Sequence, residues 1–472
     1  MVLFCRIWVF FFIYNDMETK IDLDKVKRIH FVGAGGVSMS ALLKIAKSKG
    51  KICSGSDCGA KGVLKTLKQQ KIKVYTKHKA KNVLGADLVV YSSAISKDNV
   101  EILKAKELNI KTITRAEFLG LVAKEYKTVV AISGSHGKTT TTAMISSLLL
   151  RFGLSPTVHL GGNYSLISGN LKLGGNDFFV TEACEFRDSF LSLNPTISVI
   201  TNIEREHLDY FKNFKNIKES FNKFIENTSE VCFINYNYLK YVSDKTKVVT
   251  FGLNKNADFR AINIKNKNGL YGFDCINKGE FLGRVELSVE GKHSILNALS
   301  SIAVGVFLGI PFRDIAKGLE KFRNVDRRFE KLGEVKGATV IHDYAHHPTE
   351  IRSAIKTCLE LKKDIVCVFQ PHTYSRTKSL LKSFRTAFWG VKSLVLVETY
   401  SAREKFDKIG SCENLKTEIE SYGGNPKVYG VFKNREVIKF LGELNVDGKI
   451  LLFLGAGDIE LIAKKFKTKF IS

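Results

Sequence analysis

The stretch from Thr128 to Leu150, TVVAISGSHGKTTTTAMISSLLL, constrains the fold of this chain most strongly. It opens with a short apolar run that is typical of a buried parallel strand, and it closes with a pattern that favours a helix. Between the two lie Gly134, Ser135, His136 and Gly137. A glycine-rich loop that ends on a helix N-terminus presents backbone N–H groups and the positive end of the helix dipole. The stretch therefore predicts a phosphate-binding loop in an α/β domain.

The residues after the loop are those that nucleotide chemistry requires. Lys138 is predicted to reach the β- and γ-phosphates, and the hydroxyl of Thr139 to bind Mg²⁺, with Thr140 in the same turn. Ile132 occupies the position of the first glycine in the longer GxxxxGK pattern, so only the shorter and less specific GxxGK[ST] remains. An ordinary Gly/Ser/Thr-rich turn is the competing interpretation. The order of strand, loop, lysine, hydroxyl and helix favours nucleotide binding.

Length and charge bound the classes of function. A chain of 472 residues suggests about two to four domains, and 44% hydrophobic and 11% aromatic residues argue against disorder. The net charge of +26 raises the possibility of nucleic-acid binding. However, the lysines are spread along the chain without a long basic run or a nucleic-acid motif. We therefore predict no nucleic-acid partner, and a positive potential that attracts anionic nucleotides.

The cysteines and the N-terminus indicate a cytoplasmic protein. Nine cysteines are scattered without a CxxC pair, which fits reduced thiols better than disulfides or a zinc site. The apolar residues 1–16 are shorter than the roughly 20 residues of a spanning helix and include Arg6. They also lack a basic leading region and a small-residue cleavage site. We predict no stable membrane insertion, an extension over 1–21, and a translation start at Met17.

Residues 22–117 predict a Rossmann-like domain for a nucleotide or a pyrophosphate. A strand, KRIHFV, leads into a glycine turn that resembles a dinucleotide fingerprint, although Ser38 replaces its last glycine. An acidic residue about twenty positions further on is placed to hold a sugar hydroxyl, and two serines end a later strand. A tight turn without a ligand is the competing interpretation. The candidate binding residues are Gly35, Gly36, Ser38, Asp57, Ser92 and Ser93.

Residues 118–325 contain the phosphate loop and its predicted partners. TVHLGGN predicts a strand that enters a Gly-Gly turn, and DFFVTEACE a strand that delivers Glu182 and Glu185 at its end. An acidic residue after a buried strand is where a phosphate-loop enzyme keeps its metal partner. His207 follows another strand, where we favour metal or substrate contact over a structural role. Asn297, on a predicted helix, either contacts adenine or serves as a helix cap or a polar core contact.

Residues 326–472 repeat the alternation of strands and helices, which predicts a further parallel sheet. The consecutive Arg327 and Arg328 either clamp phosphate or belong to a solvated linker. Further polar residues follow predicted strands, where ligands of such sheets gather: Asp343, His346, His347, His372, Arg376 and Arg403. The whole chain therefore predicts an α/β protein of three domains.

Taken together, these segments resemble the Mur ligases, the ATP-dependent amino-acid ligases of peptidoglycan synthesis. The matching segments lie in family order from residue 28 to about 464: HFVGAGGVSMS, YSSAIS, SGSHGKTTTT, TEACEFRDSF, TNIEREHLDYF, GKHSILNAL, RRFEKLG, HDYAHHPTEI, FQPHTYSRT and LFLGAGDI. TEACEFRDSF departs from the EADESD form that many members carry, but it keeps Glu182. The resemblance implies a UDP-sugar-binding domain, a central ATPase domain and a Rossmann-like domain that closes over an amino acid.

The resemblance also implies an activity and residue roles. ATP would phosphorylate the lactyl carboxylate of UDP-N-acetylmuramate, and the amine of L-alanine would attack the acyl phosphate, in a monomer or homodimer. Lys138 would contact the phosphates, Thr139 and Glu182 one Mg²⁺, and His207 a second. The remaining assignments are Asn297 to adenine, Arg327 or Arg328 to the phosphates, and His372 and Arg376 to the alanine or the forming intermediate. His346 is a further substrate-binding candidate, but its role relative to that of His347 stays open.

Three alternatives stay open at this point. An enzyme of the same fold could join a whole tripeptide, rather than one amino acid, to the same sugar, because both kinds of ligase share these motifs. An NAD-dependent oxidoreductase built on Gly33 to Ser38 would leave Lys138 without a role. A nucleic-acid-binding protein would show salt-sensitive affinity and would not need the glycine loops.

Overall fold

The fold is described from a computed structural model over residues 21–243, 247–402, 404–423 and 426–470. The proposed start at Met17 and the candidate Arg403 lie outside these residues. The described chain divides into two compact units, the first ending at Tyr126 and the second beginning at Lys127. Within the described ranges, no helix combines the length and the apolar character needed to cross a bilayer.

The first unit is a five-stranded, fully parallel sheet in the order β3-β2-β1-β4-β5. This order follows from right-handed crossovers in both directions from β1, as in nucleotide-binding α/β sheets. Its strands are β1 (Arg28–Val32), β2 (Ile52–Ser56), β3 (Lys73–Tyr75), β4 (Leu88–Tyr91) and β5 (Lys111–Thr114). Its helices are α1 (Val37–Ser48), α2 (Lys61–Gln69), α3 (Val100–Glu107) and α4 (Arg115–Ala123).

The first unit extends beyond the predicted limit at residue 117. Helix α4 buries Phe118 and Leu119, and the ring of Phe118 meets that of Phe31 on β1 at 5.3 Å between centroids. Because this apolar contact ties α4 to the first sheet, the compact unit ends after the helix, at Tyr126. The other predicted domain limits stay predictions.

The second unit contains two sheets, of which the first has ten strands in the order β15-β14-β13-β12-β11-β10-β6-β9-β7-β8. Its strands are β6 (Thr128–Ser133), β7 (Thr157–Tyr164), β8 (Gly169–Lys172), β9 (Phe178–Glu182), β10 (Ile197–Ile200), β11 (Val231–Asn235), β12 (Val248–Gly252), β13 (Phe259–Lys267), β14 (Leu270–Asn277) and β15 (Glu280–Glu290). Its helices are α5 (Lys138–Arg151), α6 (Leu208–Phe211), α7 (Phe214–Glu226), α8 (His293–Phe307) and α9 (Phe312–Glu320). Helices α5 and α8 pack together over the sheet and bury a large apolar core.

The Gly-Gly turn expected at 161–162 is wrong, because β7 continues through both glycines to Tyr164. The backbone N–H of Gly161 donates to Glu182 Oε1 at 2.5 Å. A Cβ on Gly161 would lie only 2.9 Å from that oxygen. The glycine therefore allows a close approach to Glu182 rather than a reversal of the chain.

The last sheet has six strands in the order β16-β17-β21-β18-β19-β20, with only β16 antiparallel. Its strands are β16 (Glu330–Val335), β17 (Ala338–Asp343), β18 (Ile365–Phe369), β19 (Ser393–Val397), β20 (Lys427–Phe432) and β21 (Ile450–Leu454). Its helices are α10 (Pro348–Leu359), α11 (Tyr374–Phe384), α12 (Cys412–Ser421), α13 (Asn434–Glu443) and α14 (Ile459–Phe470). Apolar clusters cover both faces of this sheet, as a parallel sheet requires. The predicted α/β fold is confirmed, with one sheet in each of the three successive parts of the chain.

Candidate active site

The phosphate loop joins β6 to α5 at the centre of the ten-stranded sheet. Both of its glycines have positive φ, 133° at Gly134 and 83° at Gly137. A Cβ on Gly134 would lie 2.1 Å from the hydroxyl of Thr201, and one on Gly137 would lie 2.8 Å from Asn297 Oδ1. The backbone N–H of His136 donates to Asn202 Oδ1 at 2.8 Å. Because the neighbouring elements crowd the loop, only glycine fits at both positions.

Lys138 directly follows this loop and is held by it. Its ammonium donates to the carbonyl oxygens of Gly134 and Ser135 and to Glu185 Oε2, the last at 3.0 Å. Burial alone would lower the pKa of Lys138, but the charge of Glu185 outweighs it and raises that pKa. Lys138 therefore stays charged, with Glu185 as its counter-ion. The sequence placed Glu185 at a strand end without assigning it a role.

Thr139 and Glu182 lie together. The hydroxyl of Thr139 donates to Glu182 Oε2 at 3.0 Å, while Gly161 holds the other carboxylate oxygen. Arg328 Nη2 lies 3.4 Å from the same hydroxyl. A hydroxyl and a carboxylate at the edge of the phosphate loop are oxygen ligands of the kind that Mg²⁺ prefers.

His207 belongs to a different cluster from Glu182. His207, Glu185 and Glu206 each offer a ligand atom, and these atoms lie within 4.8 Å of one another. The ring of Phe186 packs on His207, with centroids 4.7 Å apart. Burial raises the pKa of Glu206 to about 7, against the opposing charge of His136. This donor set also fits a divalent cation. Sequence reasoning missed Glu206, although it directly precedes His207.

His136 lies between three carboxylates. Its Nε2 is 3.4 Å from both Glu204 and Glu206, and its Nδ1 is 3.6 Å from Glu350 on α10. Burial would lower the pKa of His136, but the contacts with Glu204 and Glu350 outweigh it and raise the pKa to about 10. The imidazole is therefore positively charged at neutral pH. Glu204 and Glu350 were not among the predicted site residues.

We expect this cluster to make stability depend on pH. A histidine whose pKa is raised on folding contributes stability below its unfolded pKa of 6.5, and the contribution is lost as the pH rises to about 10. Glu204→Gln removes one carboxylate that raises this pKa. As the pH rises from about 6.5 to 9.5, the thermal unfolding midpoint of the Glu204→Gln variant should therefore fall less than that of the wild type. Equal slopes in thermal-unfolding scans would contradict this assignment.

The two consecutive arginines diverge. Arg328 reaches Thr139, whereas Arg327 Nε lies 3.2 Å from Glu460 on α14. Both guanidinium groups lie over the ring of Tyr344, at 4.6 Å for Arg327 and 5.2 Å for Arg328. Arg327 has a positive φ of 65°, which turns the chain between the two side chains. Of the pair, the structure brings Arg328 to the phosphate loop.

The residues predicted to bind the amino-acid substrate lie together beyond the strand ends of the last sheet. Arg376 Nη1 donates to His372 Nδ1 at 3.0 Å, and the rings of His372 and His346 are 5.6 Å apart. Tyr400 stacks on His372, with centroids 5.5 Å apart and a tilt of 19°. Burial, His346 and Arg376 lower the pKa of His372 to about 4. An arginine is able to bind a carboxylate through two parallel hydrogen bonds.

The two histidines that follow Tyr344 have different positions. His346 Nδ1 donates to the carbonyl oxygen of Tyr344 at 3.0 Å, and its ring belongs to the cluster with His372. His347 is the N-cap of α10, and its Nδ1 accepts from the N–H of Thr349 at 3.3 Å. The sequence did not rank the two, and the geometry separates them.

A cavity of about 350 Å³ adjoins the phosphate loop. Asn297 and His293, one helical turn apart on α8, line it together with Tyr238 and Phe251. Gly137, Thr139, Thr140 and Arg328 line it near the loop. Aromatic walls with amide groups suit a purine base, so the position of Asn297 is compatible with adenine contact. Tyr238 was not among the predicted site residues.

The glycine turn of the first unit is organised by Asp57. Its Oδ2 accepts from the N–H of Gly35 at 3.1 Å, and its Oδ1 from that of Gly59 at 2.8 Å. Gly36 is the N-cap of α1, and Ser38 Oγ accepts from Arg115 at 3.3 Å. Ser92 and Ser93 follow β4 at the same sheet edge. Asp57 thus fixes the loop through both oxygens.

Three family models match successive parts of the chain. They are the Mur ligase family catalytic domain at residues 28–127, the Mur ligase middle domain at 132–305, and the Mur ligase glutamate ligase domain at 327–457. Together they span most of the sequence, in the order of the three sheets.

Curated relatives match along nearly the full length. The UDP-N-acetylmuramate–L-alanine ligase of Caldanaerobacter subterraneus subsp. tengcongensis is 42% identical over 455 residues, covering 95% of this chain and 98% of its own. The enzyme of that name from Clostridium acetobutylicum is 43% identical over 461 residues, covering 96% and 100%.

Solved structures agree with these matches. The UDP-N-acetylmuramate–alanine ligase of Thermotoga maritima has a TM-score of 0.79 and 29% identity, covering 94% of this chain and 98% of its own. A murein peptide ligase from Psychrobacter arcticus shares the fold, with a TM-score of 0.72 and 21% identity over 94% and 98%. The chain belongs to the Mur ligase family.

Proposed function

We propose that this protein joins L-alanine to the lactyl carboxylate of UDP-N-acetylmuramate at the expense of ATP. It is an ATP-dependent ligase of peptidoglycan precursor synthesis. The proposal rests on the observation that one unit contains both a phosphate loop with Lys138 and, around Arg376, a candidate site for binding a carboxylate. The identity of 42–43% to curated alanine ligases, over nearly the full length of the chain, supports the choice of substrates.

The activation step follows from the chemistry of the acid. A carboxylate is a poor electrophile, and transfer of the γ-phosphoryl group of ATP converts it to an acyl phosphate with a good leaving group. Two anions must approach each other in that step, so positive charge is required at the phosphates. Lys138 and Arg328 supply it from this chain. Mg²⁺, held by Thr139 and Glu182 and in the cluster of His207, would add further neutralisation of phosphate charge.

The second step needs a bound amino acid with a neutral amine. We assign the alanine carboxylate to Arg376, with His372 and His346 as uncharged neighbours that do not compete for it. The amine then attacks the acyl phosphate, the C–N bond forms, and inorganic phosphate leaves. Because water also hydrolyses an acyl phosphate, the site has to exclude solvent during this step.

The first unit is assigned to the UDP-sugar. Its glycine turn at Gly35 and Gly36 presents backbone N–H groups at the carboxyl edge of a parallel sheet, where nucleotide ligands bind. We assign Ser38, Asp57, Ser92 and Ser93 to the same site. The activity belongs to the cytoplasm, where ATP and UDP-sugars are available, in a monomer or homodimer.

Phosphate release tests the proposal. Purified protein is given Mg²⁺-ATP and UDP-N-acetylmuramate, then single amino acids, then an L-Ala-D-Glu-diamino acid tripeptide. Release that requires both the sugar nucleotide and L-alanine supports the proposal. Release only with the tripeptide would establish the recycling reaction instead, and no release under any combination would reject ligation.

Arg376→Ala should weaken alanine binding selectively. Loss of charge-assisted hydrogen bonds costs about 1.5–3 kcal/mol, so the KM for alanine should rise about 10–100-fold. Arg376→Lys keeps the charge but loses the planar fork, and should recover only part of that loss. The KM for ATP should stay within about twofold. Steady-state kinetics with each substrate varied would contradict the assignment if both KM values rose equally.

A further inference from the structure

Glu350 divides its two carboxylate oxygens between two parts of the second unit. It lies at the third position of α10, where Oε2 accepts the backbone N–H groups of His346 at 3.1 Å and His347 at 3.2 Å. Its Oε1 lies 3.6 Å from Nδ1 of His136 in the phosphate loop. One oxygen therefore fixes the start of a helix of the last sheet, while the other faces the loop of the central sheet.

On the nucleotide side, this contact reaches a loop that is otherwise fixed. The backbone carbonyl oxygen of His136 accepts from the hydroxyl of Thr201 at 2.6 Å, and the backbone N–H of His136 donates to Asn202 Oδ1. The backbone that carries the imidazole is therefore held on both sides. A displacement of Glu350 would change the charge around the ring two residues before Lys138.

On the amino-acid side, Glu350 fixes the segment that carries His346. Besides the backbone hydrogen bond, His346 Nδ1 lies 3.5 Å from Glu350 Oε2. His346 in turn faces His372, which Arg376 contacts. A ligand that moves this cluster therefore moves the same carboxylate that contacts the phosphate loop. The path from Arg376 to the phosphate loop runs through His372, His346 and Glu350.

We propose that Glu350 is a positioning residue that couples amino-acid binding to nucleotide binding. The inference rests on the ligase function proposed above. Its thermodynamic meaning is that bound alanine strengthens nucleotide binding, and that bound nucleotide strengthens alanine binding by the same factor. Glu350 acts through its contacts with His136 and His346.

The test measures the affinity of a non-hydrolysable ATP analogue, AMP-PNP, with Mg²⁺ and UDP-N-acetylmuramate present. In the wild type, saturating L-alanine should lower the Kd of AMP-PNP at least about fivefold, the lower end of typical coupling. In Glu350→Gln this factor should fall below about twofold. Glutamine keeps an oxygen that accepts the N–H groups of the helix start, but it carries no charge for His136.

A matched control separates coupling from helix capping. Glu436 is the third residue of α13, and its Oε2 accepts the N–H of Lys433 at 3.2 Å in the same kind of capping box. Glu436→Gln should therefore keep the wild-type factor. Glu350→Asp keeps the charge but shortens the side chain, so it cannot reach both partners and should also lose the factor.

The outcomes are distinct. A wild-type factor retained in both Glu350 variants would overturn the inference, as would its loss in Glu436→Gln to the same degree. Absence of any alanine effect on AMP-PNP binding in the wild type would also overturn it. Failure of the proposed function appears separately, as a wild type that releases no phosphate when UDP-N-acetylmuramate and L-alanine are both present.

Discussion

Replacing Lys138 by alanine is expected to lower turnover by about 10²–10³-fold or more. The ammonium is held by the carbonyl oxygens of the loop where phosphate is expected to bind, and one preorganised donor at a developing charge contributes about that much. The measurement is phosphate release under saturating substrates. Retention of turnover within about tenfold of the wild type would remove the phosphate loop from the mechanism.

The same replacement should also destabilise the fold, for a separate reason. Glu185 is 3% exposed, and it would keep a buried charge without its lysine partner. Loss of one partner of a buried pair costs about 3–5 kcal/mol. The double variant Lys138→Ala/Glu185→Gln should recover most of this stability and remain inactive.

A surface lysine gives the matched control for Lys138→Ala. Lys127 pairs with Asp177 at 2.8 Å, and its side chain is 81% exposed. Exposed ion pairs contribute little, so Lys127→Ala should keep wild-type turnover and stability. An equal loss in both variants would indicate a general effect of removing a lysine from this unit.

Glu182→Gln is expected to lower turnover by about 100-fold and to raise the Mg²⁺ requirement by about tenfold or more. Glutamine keeps an oxygen for the N–H of Gly161, so the approach of β7 to β9 is preserved. It removes the negative charge beside the hydroxyl of Thr139. Turnover is measured against free Mg²⁺ concentration, with ATP kept saturating.

Asp177→Asn is the control for this second variant. Asp177 precedes β9, so it lies at the opposite end of the strand that carries Glu182, and its side chain is 66% exposed. Its Mg²⁺ dependence should match that of the wild type. If Glu182→Gln also kept the wild-type Mg²⁺ dependence, Glu182 would not be a metal ligand.

The part of the site that the sequence predicts best is the part that is local. The strand, the glycines, Lys138 and the helix are contiguous, so their geometry follows from backbone preferences and the helix dipole. Glu182 was identified by a rule of nearly equal simplicity, that polar residues after parallel strands meet at one edge of a sheet. The resemblance to a family supplied the substrates, which neither rule could give.

Residues that act through distant partners were beyond this reasoning. Glu350 looks like an ordinary capping residue within its own helix, and only the packing of α10 against the phosphate loop gives it His136 as a neighbour. The prediction of a turn at Gly161 was wrong for the same reason. Glycine pairs favour turns locally, but a hydrogen bond to Glu182 keeps the strand extended. In both cases tertiary contacts decide between locally equivalent choices.

The transfer of oxygen from substrate to phosphate tests the central claim most directly. UDP-N-acetylmuramate is labelled with oxygen-18 in its lactyl carboxylate and is turned over with ATP, Mg²⁺ and L-alanine. An acyl phosphate passes one labelled oxygen to each released phosphate, and mass spectrometry detects this label. The other product is the amide between the lactyl carboxyl group and the nitrogen of L-alanine. Unlabelled phosphate released together with that amide would show that the carboxylate is not activated by phosphorylation.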